Sequence, residues 1–74
     1  MIRLRRITGR QVLKALQKAG FVLIRTKGSH HFVRHPDGRA TVIPIHAGET
    51  LGPGLLNQIL KDVEIDRDDF DNLL

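Results

Sequence analysis

The 74-residue sequence contains no cysteine. Neither a disulfide nor a thiolate metal site is therefore available to staple so small a fold, and stability must come from packing or from a partner. That composition fits a reducing compartment. Long apolar runs are missing as well. The stretch Phe21 to Ile24 is four residues long, and the opening Met1-Ile2-Arg3-Leu4-Arg5-Arg6 lacks the apolar centre of a signal peptide. A soluble, cytoplasmic protein without a membrane segment is expected. There is no internal repeat and no low-complexity segment, and the length accommodates one domain over residues 1–74, too small to enclose a large active-site cavity.

Acids are scarce in the first half. Residues 1–39 hold ten Lys or Arg against one acid, Asp37, a net +9, whereas residues 40–74 hold two cations against seven acids, a net −5. A basic half of this kind is the electrostatic footprint of a nucleic-acid binder, because each phosphate neutralised releases a counterion. The alternative reading of the same charge is an ordinary solvated surface.

Thr8-Gly9-Arg10-Gln11 has capping-box spacing and predicts a helix from Thr8 that stops at Gly20. Val12, Leu13, Leu16 and Ala19 share one face of it, and Arg10, Lys14 and Lys18 form a basic stripe on another, read as an ordinary charged outer face. In the lead before it, Ile2, Leu4 and Ile7 either cover an edge of the core or stay loose. Strands are predicted at Phe21 to Thr26, between the turns Gly28-Ser29 and Pro36-Asp37-Gly38, and at Ala40 to Ile45, where Pro44 marks an edge strand. A second helix opens with Pro53 and carries an apolar stripe of Leu55, Leu56, Ile59, Leu60 and Val63. Ile65, Asp66, Asp69 and Phe70 have the spacing of an acidic cap with a hydrophobic staple, predicting a short last helix through Leu73. The order is α-β-β-β-α with a short extra C-terminal helix. It gives an α+β fold: a three-stranded antiparallel sheet with helices on one face and the other face open to solvent.

The middle strand concentrates the chemistry. Three of the four histidines lie in residues 27–39, and alternation puts His30, Phe32 and Arg34 on one face and His31, Val33 and His35 on the other. A shared metal site fits poorly. His30 and His31 point apart, and His31 and His35 lie ~13 Å apart at about 3.3 Å per residue, against the ~3 to 4 Å between nitrogens that Zn–N bonds of about 2 Å require. A single histidine suffices to cut RNA, since the 2′-hydroxyl is a nucleophile already beside the phosphate and needs only a base and nearby cations. His30 adjoins the Gly28-Ser29 bend, where backbone can approach a phosphate, and shares a face with Arg34 and with Phe32, a surface on which a base can stack. On the bland reading, His30 ends a turn and Phe32 belongs to the core. His31, His35 and His46 are read as structural. Lys27, Arg34 and Arg39 are candidates for phosphate contact or leaving-group help.

Gly28-Ser29-His30-His31, followed by His35-Pro36-Asp37-Gly38-Arg39, then Pro44-Ile45-His46-Ala47-Gly48-Glu49-Thr50-Leu51 and the Leu55 to Leu60 helix, resembles the HicA toxins, small ribonucleases of toxin–antitoxin pairs also called mRNA interferases. The resemblance runs from about Ile7 to Leu74. The lead Met1 to Arg6 looks longer than many members carry and is assigned no role. The resemblance implies a double-stranded-RNA-binding-domain-like (dsRBD-like) fold and cleavage of mRNA without metal or cofactor. It implies His30 as catalytic residue and a HicB-type antitoxin as partner, beside the RNA-binding candidates read from the residues themselves, Lys27, Gly28, Ser29, Phe32, Arg34 and Arg39. Attack by the 2′-hydroxyl would leave a 2′,3′-cyclic phosphate. Two other classes are compatible with the residues alone: a non-catalytic RNA-binding module, which would leave RNA intact, and a protein-interaction domain, which would show no salt-dependent RNA affinity.

Overall fold

A computed structural model describes residues 6–74. The chain runs α1 (Gly9–Lys18), β1 (Val22–Lys27), β2 (His30–Arg34), β3 (Ala40–Pro44), α2 (Pro53–Val63) and α3 (Arg67–Leu73). The strands form an antiparallel meander in the order β1-β2-β3. This is the α+β arrangement expected from the sequence.

The helix ends follow local chemistry. Thr8 Oγ1 accepts from the Gln11 backbone N–H at 3.2 Å while Gln11 Oε1 accepts from the Thr8 N–H at 2.9 Å, so two orphan donors at the start of α1 are satisfied reciprocally. Pro53 opens α2, and Glu64 closes it in the left-handed region at φ 55°. There the Ile65 N–H reaches back to the Leu60 carbonyl at 3.2 Å. Asp66 caps α3 by accepting from the Asp69 N–H at 2.9 Å, and Ile65 and Phe70 pack into the same core on either side of that cap.

The core lies between the helices and one sheet face. Val12, Ala15 and Leu16 of α1, Leu56, Ile59, Leu60 and Val63 of α2 and Phe70 of α3 meet Val33 of β2 and Ile43 of β3, with Ile7 and Phe21 closing the ends. Burying one such aliphatic or aromatic side chain is worth about 1.5–3 kcal/mol. The Thr41 hydroxyl, which this packing also buries, donates to Asp62 Oδ2 at 3.0 Å and so ties β3 to α2. Lys18 of the basic stripe donates from Nζ to the Leu73 carbonyl at 3.1 Å, joining α1 to α3.

Three details depart from the sequence-based expectation. Phe21 is buried just outside β1 rather than within it, and all six residues of β1 are exposed because the helical layer covers β3 and β2 but stops short of the first strand. Leu55 leaves the apolar stripe and is 40% exposed. Ile24 is an extra residue: Leu23 pairs with Val33 and Arg25 with Phe32, so the ladder carries a β-bulge between them. Of the three apolar residues of the lead, Ile7 is in the core, and Ile2 and Leu4 lie outside the described residues.

Candidate nucleic-acid interface

The open face of the sheet is set by the turn between β1 and β2. Gly28 takes φ 59° and Ser29 does not leave negative φ, the glycine-first pattern of a two-residue hairpin turn. No atom lies within 4 Å of a Cβ built at Gly28, so backbone conformation alone selects glycine there. The Ser29 carbonyl accepts from the Ile45 N–H at 2.8 Å and from His31 Nδ1 at 3.0 Å, which carries the β2–β3 ladder past the turn and puts the His31 proton on that nitrogen.

With the turn in place, three cross-strand rows face away from the helices. Lys27, His30 and Pro44 form the first; Arg25, Phe32 and Val42 the second; Val22, Arg34 and Ala40 the third. The face is graded across its width: cations and exposed apolar residues on β1, His30, Phe32 and Arg34 on β2, and small or apolar residues on β3. Among the described residues, none of the three strands carries an Asp or Glu. His30 and Arg34 are exposed and Phe32 is half-buried. No hydrogen bond or ion pair among the described residues engages the side chains of Lys27, His30 or Arg34. Thus Lys27, Gly28, Ser29, His30, Phe32 and Arg34 are brought together.

Arg39 is placed elsewhere. Its Nε donates to Asp37 Oδ2 at 2.8 Å, its Nη1 donates to the Val63 carbonyl, and its guanidinium lies 5.1 Å from the centre of the Phe21 ring. It fastens the β2–β3 turn to the end of α2. The backbone N–H of Arg39, with its guanidinium, holds the Asp37 carboxyl below the usual carboxylate range. His35 completes that cluster, edge-on to Phe21 at 5.1 Å between ring centres. Its Nδ1 lies 3.1 Å from the Asp37 nitrogen and 3.0 Å from Asp37 Oδ1: the first contact needs a bare ring nitrogen, the second a protonated one. His46 is exposed in the loop before α2.

Arg25 is the residue the sequence reading passed over. Its guanidinium carbon sits 4.6 Å from the centre of the Phe32 ring, within cation–π range. The signal was present in the two-residue turn, since counting back from Gly28 pairs Arg25 with Phe32.

No three His, Asp or Glu side chains among the described residues converge on a point that would hold a metal ion. No helix among them is long and apolar enough to cross a membrane. The arrangement is that of an exposed histidine among cations, suited to proton transfer beside a phosphate.

The chain matches no curated protein. It does match the sequence model of a family described as the HicA toxin of bacterial toxin-antitoxin, over residues 9–65. That span begins at the first residue of α1, takes in the whole sheet with His30 and its turn, and ends just past α2. With the family's match covering helix, open face and helix in one continuous stretch, the chain belongs to the HicA toxin family, the toxins of bacterial toxin–antitoxin pairs.

Proposed function

We propose that the protein is a metal-independent endoribonuclease that cuts mRNA in the cytoplasm, with His30 as general base, and that a HicB-type antitoxin neutralises it. The observation that carries this reading is the setting of His30: exposed, next to a glycine turn, with Lys27 directly across the ladder, on a sheet without acids. A ring nitrogen of His30 takes the proton of a ribose 2′-hydroxyl as the 2′-oxygen attacks the neighbouring phosphorus. The bond from phosphorus to the 5′-oxygen breaks, and that oxygen leaves as a 5′-hydroxyl after taking a proton from solvent. The other product is a 2′,3′-cyclic phosphate. Lys27 and Arg34 supply positive charge where negative charge grows on the phosphoryl oxygens, and Gly28-Ser29 leaves room for the backbone to approach. General-base help of this kind is worth about 10²- to 10⁴-fold in rate, and preorganised positive charge about 10²- to 10³-fold more. Nothing among the described residues covers this face, which supports control by a partner that occludes it.

The test is an RNA cleavage assay of wild type, His30→Ala and His31→Ala, each with and without EDTA, alongside thermal melts and end-group analysis. His30→Ala is expected to fold, bind RNA and not cut it. His31→Ala keeps activity, and wild type works in chelator and leaves cyclic phosphate ends. Full activity in folded His30→Ala removes the mechanism, loss of activity in EDTA brings a metal back, and RNA binding without cleavage by any version leaves a non-catalytic RNA-binding module.

A further inference from the structure

We propose that the open face takes an unpaired nucleotide, whose base lies on the Arg25–Phe32 pair while its phosphate falls to Lys27 and His30. The inference rests on the ribonuclease reading for the identity of the ligand and adds which residues hold the base and in what state the RNA must be.

Two observations carry it. Arg25 and Phe32 are cross-strand partners in contact at 4.6 Å, Arg25 exposed and Phe32 half-buried, so a flat cation and an aromatic ring stand together on the surface. Both are surfaces on which bases stack. The row holding them is the next one on the same face after that of Lys27 and His30. It is therefore two residues along the strands, about 7 Å away, roughly the reach from a phosphate to its own base.

The gradation across the sheet then fixes an orientation: the sugar–phosphate chain follows the cations of β1, and the base crosses Phe32 toward β3. A base inside a duplex has both faces covered by its neighbours and offers none to this pair. The face therefore selects single-stranded or bulged RNA. The bland alternative is that Arg25 only shields Phe32 as an ordinary cross-strand pair.

The test is equilibrium binding of wild-type protein and variants to a 2′-O-methyl oligoribonucleotide, which has no free 2′-hydroxyl to attack, to an abasic backbone of equal length, and to a blunt duplex. Wild type is expected to bind the base-bearing single strand about 5- to 100-fold more tightly than the abasic strand for one stacked base, and more tightly than the duplex. Phe32→Leu removes that ratio and Phe32→Trp keeps it, with thermal melts confirming the fold. Arg25→Gln and Arg25→Lys at the exposed position both lower the ratio, because an ammonium cannot stack as a guanidinium does. A ratio near one in wild type, tighter binding of the duplex, or full recovery in Arg25→Lys overturns the proposal. Cleavage of unmodified RNA is measured in parallel. Base-dependent binding without cleavage removes the ribonuclease reading and leaves this site standing, whereas cleavage with no base dependence overturns this site alone.

Discussion

Lys27 and His30 are directly opposed at the last rung of the β1–β2 ladder, next to the Gly28-Ser29 turn. Opposed residues on one face of an antiparallel pair have Cβ atoms about 4.5–5.5 Å apart, so in the proposed mechanism the Lys27 ammonium would reach the phosphate on which His30 acts. Lys27→Met is expected to slow single-turnover cleavage by about 10²- to 10³-fold, and Lys27→Arg to restore part of it. Weaker RNA affinity with an unchanged saturated rate would make Lys27 a binding residue only.

Gly9 and Gly28 are glycines for different reasons, and their alanine variants should behave differently. A Cβ at Gly9 would run into the Pro44 carbonyl oxygen and the Ile45 side chain, because the first turn of α1 rests on the end of β3. The better helix propensity of alanine is worth at most about 1 kcal/mol, against about 1–3 kcal/mol for overpacking, so Gly9→Ala lowers stability in urea melts. Gly28→Ala meets no neighbour but places a side chain at φ 59°. It costs about 1–2 kcal/mol and, by loosening the hairpin, also reduces cleavage.

Arg39→Ala is expected to cost about 1.5–3 kcal/mol, the range for hydrogen bonds to charged groups, because it loses the Val63 carbonyl, Asp37 and the Phe21 ring together. RNA affinity, measured where the variant is folded, should change little. A large loss of affinity at unchanged stability would return Arg39 to the RNA-binding set.

Much of the interface was legible because its determinants are local. A two-residue turn sets the register on both of its sides, and the capping box at Thr8 and the staple at Ile65 and Phe70 each lie within six residues of chain. Pro44 named its strand as an edge for want of an N–H. What escaped were the features with distant or silent causes. The run Phe21 to Ile24 is apolar throughout, so no alternation reveals the change of phase at the Ile24 bulge. The partner of Arg39 at Val63 is 24 residues away, and nothing near Arg39 points to it. Leu55 has the spacing of the buried stripe, and only the path of α2 along the sheet edge leaves it exposed.

The Asp37 cluster gives an acid-sensitive element. Its carboxyl is held below the usual range by the Arg39 backbone N–H first and the guanidinium after it, so the folded state binds this proton less readily than the unfolded chain. Its contribution is full above the unfolded value and is lost as pH falls through the lower folded one. Asp37→Asn should accordingly lower the neutral plateau of a pH–stability curve, differ little from wild type at the acid end, and so flatten the acid limb. An identical acid limb in the variant would assign that limb to other carboxylates.

The bulge at Ile24 also bears on how β1 would meet a second copy of the chain. Among the described residues β1 is an edge strand with Val22 and Ile24 more than half exposed and Leu23 at 37%, the kind of strand on which another chain could lay down a matching ladder and begin to aggregate. The extra residue breaks the regular spacing of its N–H and C=O groups, and Arg25 and Lys27 would bring like charges face to face in any such pairing. The bulge just before Arg25 thus spoils as a template the one stretch of the edge that exposes three aliphatic residues.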